Sequence, residues 1–239
     1  MTTALKYDAS VLIDSGRLAW KPYAPAGYPA GLRARTLRRL DDGSLRSAVL
    51  DVPAGWASGG PRTARAAEQA YIISGALHIG GIAFKAGSFY FVPAGAAFGP
   101  MHSAAGAQII VILDGEQSYG EAGEATPEAV QRVVAADVPA IEQVVGVKRR
   151  VLWQDPVTGA DTRHLTLSAG LPGLGAEWHP VNEEIFFLTD TASPSANEPG
   201  PGWFLFNPAY AVHGGERPPT TSECTLLEWH DGAWELNRL

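Results

Sequence analysis

Apolar residues fall along this chain in short runs that alternate or cluster and then stop at glycine, proline or asparagine. Ser47–Val52, Gln69–Ser74, Ser88–Val92, Gln108–Leu113, Glu184–Leu188 and Thr225–Trp229 are rich in β-branched and aromatic side chains, and turn-forming residues bound them. Such runs suit the pleated, half-buried surface of an antiparallel sheet, whereas a helix would repeat its apolar positions every three or four residues. The pattern predicts an all-β chain with one exception. Thr126-Pro127-Glu128 supplies a capping hydroxyl, a proline at a first helical position and an acid near the positive end of a helix dipole, so a short connecting helix is expected through Ala136. A domain boundary just after it would divide the chain into 1–137 and 138–239. Thr191–Pro201, rich in Ser, Pro, Asn and Gly, predicts a surface loop.

The two halves repeat one another. Glu68–Gly75 answers to Glu183–Asp190, and Gly87–Gly99 answers to Gly202–Gly214, both at an offset of 115 residues (183 − 68 and 202 − 87). An unbroken offset across two segments marks an internal duplication. Arg62, Ala64, Glu68 and Phe98 of the first copy stand where the second has Glu177, His179, Glu183 and His213.

Composition narrows the partners. The 239 residues carry a net charge of −7, without the basic surface that phosphate backbones or anionic membranes require, so neither nucleic acid nor membrane is expected as a partner. No apolar run reaches the length of a membrane helix or an export leader. The single cysteine, Cys224, points to a reducing cytoplasm.

The chemistry concentrates in the second half. In Glu177-Trp-His179-Pro180-Val-Asn-Glu183, strand alternation puts Glu177 and His179 on one face. Pro180 and Asn182 supply a turn that can return Glu183 toward them. The run Pro208–His213 can deliver a second imidazole. His179, His213 and Glu183 form a facial set suited to Fe(II), Zn(II), Mn(II) or Ni(II), with coordination positions left open. Glu177 has three readings: a fourth ligand, a carboxylate orienting a histidine, or a catalytic base. Glu184 alternates to the opposite face and reads as structural, as do His78, His164 and His230, which lack ligand spacing. Phe187, Trp203, Leu205, Tyr210 and Trp229 are candidates for a pocket wall, with plain core packing as the competing reading.

These residues resemble the cupin superfamily, whose first motif is G-x5-H-x-H-x3,4-E-x6-G and whose second is G-x5-P-x-G-x2-H-x3-N. The second half gives Glu177-x-His179-x3-Glu183-x6-Asp190 and then Gly202-x5-Pro208-x-Tyr210-x2-His213. It departs in having Glu177 for a histidine, Asp190 and Tyr210 for glycines, and Arg217 for asparagine. The first half gives Glu68-x6-Gly75 and Gly87-x5-Pro93-x-Gly95-x2-Phe98-x3-His102, with the usual histidine positions empty. Trp20-Lys-Pro-Tyr, Leu40–Gly43 and Pro53-Ala-Gly55 are similar to the ChrR-like cupins, a group that includes the zinc-binding domain of an anti-sigma factor. The resemblance implies two tandem antiparallel β-barrels of cupin type, also described as jelly rolls, the first having lost its metal ligands. It implies a metal-dependent enzyme, with an Fe(II) dioxygenase acting on a small enol- or ketone-containing substrate as the favoured form and a homodimer as one expected state. The alternatives are a zinc-binding regulatory module and a metal-dependent isomerase or lyase.

Overall fold

The computed structural model describes residues 8–189, 199–215 and 218–239. Asp190, Arg217 and the predicted loop as far as residue 198 lie outside the described residues. Nearly all regular structure is antiparallel β, as the apolar pattern predicts. The chain divides into two compact units, Leu18–Asp137 and Val138–Leu239, and the second also takes the N-terminal strand Val11–Asp14 with the turn Ser15–Arg17. The first unit's long sheet runs in the order Gln131–Val134, Ser88–Val92, Glu68–Ile79, Ala107–Leu113, Leu45–Val52, Arg33–Arg39, Lys21–Pro22. The second unit repeats that order strand for strand as Val11–Asp14, Trp203–Asn207, Glu183–Phe187, Cys224–His230, Asp161–Leu167, Val147–Gln154, Ile141–Val144. Each unit adds a three-stranded sheet, and in the second it consists of His213–Gly215, Gly175–Trp178 and Asn237–Arg238. The duplication read from the sequence is therefore a duplication of topology.

The predicted connecting helix does not form. Pro127–Ala129 makes a single 3-10 turn, Gln131–Val134 pairs with Ser88–Val92, and Ala135–Asp137 makes a second turn. The capping residues do start a turn, but Val133 and Val134 are β-branched and meet an unpaired strand edge. Sheet hydrogen bonds there outweigh a helix of under three turns. An assignment of residues 1–137 to the first unit also departs from the structure at Val11–Asp14, which pairs with Trp203–Asn207 in the register Val11↔Phe206 to Asp14↔Trp203.

Alternation along the strands sorts the interior of the second unit into rungs. Asp161–Leu167 pairs with Cys224–His230 so that Asp161 faces His230, Arg163 faces Glu228, Leu165 faces Leu226 and Leu167 faces Cys224. Leu165, Leu167, Phe187, Cys224 and Leu226 form a buried apolar cluster, each large side chain worth about 1.5–3 kcal/mol on full burial. The other end of the same face is polar. His230 pairs on to Glu183 and Glu183 to Asn207, giving a rung of Asp161, His230, Glu183 and Asn207 across four strands. The corresponding rung of the first unit is Leu113, Glu68 and Val92.

Candidate metal centre

The site is built around the Glu183 carboxylate, buried at the start of its strand. Three imidazoles reach it. His179 Nε2 lies 3.5 Å from Oε1, His213 Nε2 lies 3.4 Å from Oε2, and His230 Nε2 lies 3.5 Å from Oε1. Asn207 Nδ2 donates to Oε2 at 2.7 Å and fixes the carboxylate. Each imidazole is held from behind through Nδ1: His179 by the Glu235 carbonyl at 2.7 Å, His213 by the Ala211 carbonyl at 2.9 Å, His230 by Asp161 Oδ1 at 2.7 Å. A carbonyl or carboxylate oxygen can only accept, so each Nδ1 carries a hydrogen and each Nε2 is the nitrogen left to meet an ion or a proton. All three Nε2 atoms are buried without a hydrogen-bond partner.

That arrangement fits a divalent ion. Three imidazole nitrogens within 3.5 Å of one carboxylate need a cation or a proton among them. Donors about 2.0–2.2 Å from a common ion stand roughly 3–3.5 Å apart at octahedral or tetrahedral angles, close to the separations observed. Backing of each ligand imidazole by an oxygen acceptor is the usual support of a metal-bound histidine. Glu177 joins from the three-stranded sheet, where it pairs with His213 in register, and its carboxylate falls within 4.8 Å of the His179 and His213 nitrogens. Glu228 flanks the other side, its Oε1 3.8 Å from His230 Nε2.

The charges are strongly coupled to burial. In the ion-free chain, burial opposes ionisation of Glu183, but His230 and His179 hold its carboxyl well below the usual range, at about 2. Burial would lower His230, but Glu228, Asp161 and Glu183 raise it to about 9. Burial pushes the Glu228 carboxyl up to about 7, with Glu183 adding to the shift. His179 is lowered, chiefly by burial.

The structure brings together His179, Glu183, His213 and Glu177. It adds His230, which lacks motif spacing and which sequence reasoning placed among structural residues. A signal for it was present: the tripeptide Glu-Trp-His occurs twice, at Glu177–His179 and Glu228–His230, and each copy delivers its Glu and its His to this cluster. His164 alternates with Arg163 away from the interior rungs, and His78 stacks on His102 in the first unit, ring centroids 4.6 Å apart.

A cavity of about 100 Å³ adjoins the cluster, reaching Glu177, Glu183 and Glu228 and walled by Val144, Val147, Leu165, Leu174, Trp234 and Leu236, with Arg149 and Arg163. None of the five residues expected at a pocket wall lines this cavity. Phe187, Trp203 and Leu205 pack in or against the apolar cluster, which meets the cavity through Val147, Leu165 and Leu174. Trp229 alternates to the other face of its strand, near Phe204. Tyr210 is 67 % exposed on a turn. Its φ of 64° is the left-handed conformation that the glycine of the motif would adopt freely, and Gly95, its counterpart, has φ 76°.

In the first unit the matching carboxylate, Glu68, accepts from Tyr90 at 2.6 Å, from Tyr119, and from Gln117 Nε2 at 3.3 Å. Hydroxyl and amide donors, in place of imidazoles, satisfy this carboxylate.

No family model matches the sequence, and no curated protein matches it significantly. Solved structures do match. A protein of Nostoc punctiforme described as a provisional dioxygenase is 18 % identical with a TM-score of 0.79, covering 96 % of this chain and 83 % of its own. A deletion variant of Bacillus subtilis oxalate decarboxylase is 14 % identical with a TM-score of 0.62, covering 100 % of this chain and 82 % of its own. At such identities the likeness is one of fold, and it extends over both units. The chain has the tandem cupin-type fold.

Proposed function

We propose that the second unit is a metal-dependent active site and that the protein is an oxygenase acting on a small enolisable substrate held in the adjoining cavity. His179, His213, His230 and Glu183 would hold the ion, and Fe(II) suits a mixed imidazole and carboxylate set. The observation that carries the reading is the convergence of three buried, unpartnered Nε2 atoms on one carboxylate. The Nostoc punctiforme neighbour, described provisionally as a dioxygenase, supports this choice of chemistry.

When bound, such an ion supplies Lewis acidity to a chelating substrate and electrons to dioxygen. The protein's own groups do the rest. Trp234, Leu174 and Leu236 keep water from the reacting end of the cavity. Glu228, its Oε1 3.8 Å from His230 Nε2, places a carboxylate beside the cluster where it can exchange a proton. Glu177, half-buried on the cavity wall, can take the acidic proton of an enolisable substrate at its carboxylate. Asn207 keeps Glu183 from rotating when a ligand arrives.

The test is elemental analysis of protein purified without chelators, combined with oxygen uptake on a panel of diketones and hydroxyketones. Iron at about one per chain with substrate-dependent uptake supports the proposal. Stoichiometric zinc without turnover would favour a regulatory module instead. His230→Ala should lose the ion as His179→Ala does, and His164→Ala should keep it.

A further inference from the structure

Two arginines face the cavity, and their surroundings differ. Arg163 is answered on both sides: its Nε donates to Asp161 at 2.6 Å, its Nη1 lies 3.6 Å from Glu228, and its guanidinium sits 4.6 Å from the Trp234 ring centroid. Arg149, opposite Leu165 on the next strand, has a buried Nε with no hydrogen-bond partner. Burial, and then repulsion from Arg163, disfavour its charge, and the carboxylates of Asp161 and Glu228 offset this only in part. A guanidinium offers five donors in a planar fork, matched in shape by a carboxylate. The wall beside it is apolar, formed by Val144, Val147, Leu165 and Leu174.

We infer that the cavity receives a small organic acid, with its carboxylate on Arg149, its apolar body against Val147 and Leu165, and its far end at the Glu183 cluster. The inference rests on the reading of this cavity as the substrate site. A monoanion fits better than a phosphate ester, because Glu177 and Glu228 share the wall and would repel a second negative charge. The volume of about 100 Å³ admits a body of a few carbons.

The experiment compares wild type with Arg149→Met, each reconstituted with redox-inert Zn(II), in calorimetric titrations with 3-methylbutanoate and with the neutral 3-methylbutanamide. The acid should bind wild type more tightly than the amide does. Arg149→Met should weaken acid binding by roughly 10- to 100-fold, the loss expected for hydrogen bonds between charged groups, and leave the amide unaffected. Arg149→Lys should recover part of the loss. Equal acid affinity in wild type and Arg149→Met, equal affinity of wild type for acid and amide, or no acid binding in the millimolar range overturns the assignment. If Arg149→Met does not fold, Arg149→Gln makes the same comparison. Zinc content measured on the same samples separates this inference from the metal reading. Arg149-dependent acid binding in protein that retains no zinc would sink the metal centre and leave the acid site standing. Arg149-independent binding with one zinc per chain would do the reverse.

Discussion

At Asp161 one carboxylate accepts from His230 Nδ1 at 2.7 Å and from Arg163 Nε at 2.6 Å, deep in the second unit. It therefore sets which nitrogen of His230 carries the hydrogen. In Asp161→Asn the amide can donate to Nδ1 instead, turning an Nε2–H toward Glu183 where a lone pair is needed. Metal affinity should fall by roughly 10- to 100-fold, the usual effect of losing such an orienting partner, as measured by competition with a chromophoric chelator. An unchanged affinity would remove His230 from the ligand set. A second prediction concerns Glu68. Burial raises its pKa against the pull of its three donors. The folded state then keeps a proton above pH 4.5 that the unfolded chain has lost, so the associated stability is full below that pH and declines as pH rises through the folded pKa. Glu68→Gln, neutral throughout, should lack that decline, so that urea unfolding shows its stability gaining on wild type from pH 4 upward. A constant difference would contradict this. Glu177, His179 and Glu183 could be picked out together because they flank one turn, and His213 because it stands at the motif position after Pro208. His230 was not, because it meets Glu183 through strand pairing, and nothing in linear spacing records which strands become neighbours.

At the scale of elements, each long sheet ends in a strand that precedes the rest of its own repeat. Val11–Asp14 with its turn Ser15–Arg17 corresponds to Gln131–Val134 with Ala135–Asp137, yet the former closes the sheet of the second unit and the latter that of the first. Apolar pattern alone identified six central strands, four in the first unit's long sheet and two in the second's, but it could not say which sheet an edge strand joins. The same gap made Gln131–Val134 look helical, since capping residues are read locally and an available sheet edge is not. Deleting residues 1–17 removes no metal ligand. It strips Trp203–Asn207 of its register partners, however, and that strand ends in Asn207, which holds Glu183. The truncated protein should release metal more readily and melt its second unit at lower temperature, as followed by metal release during heating. Equal release temperatures for both proteins would show that the exchanged strand contributes nothing to the site.

For the whole molecule, the two units solve the same packing problem with different chemistry at one rung. Where the second has His230, Glu183 and Asn207, the first has Leu113, Glu68 and Val92, with Glu68 satisfied by tyrosines and a glutamine. Among the described residues, the two groups of side chains able to hold an ion, Glu177 with His179 and His213 and Glu183 with Glu228 and His230, both lie in the second unit, and Glu183 joins them into one site through its contacts with all three imidazoles. About one ion per chain is therefore expected, and its removal should leave the fold standing. The first unit's core, from Ile72 and Val111 to Tyr90 and Phe98, is a large cluster of buried hydrophobic side chains that can hold that unit folded. In the second unit a proton can stand in for the ion: with its pKa raised to about 9, His230 becomes an imidazolium facing Glu183 once the metal is gone. The stabilisation from that raised pKa is complete below the ordinary histidine value of 6.5 and is lost as pH rises through about 9. Chelated protein should keep its β-sheet circular dichroism at neutral pH and room temperature, with the loss of stability limited to about 4 kcal/mol for an ion present at about 1,000 times its dissociation constant. The gap in melting temperature between loaded and chelated protein should widen between pH 7 and pH 10, as the substitute proton is lost. Cooperative unfolding on chelation at pH 7 would instead make the ion a structural element, and an active-site role would lose its support.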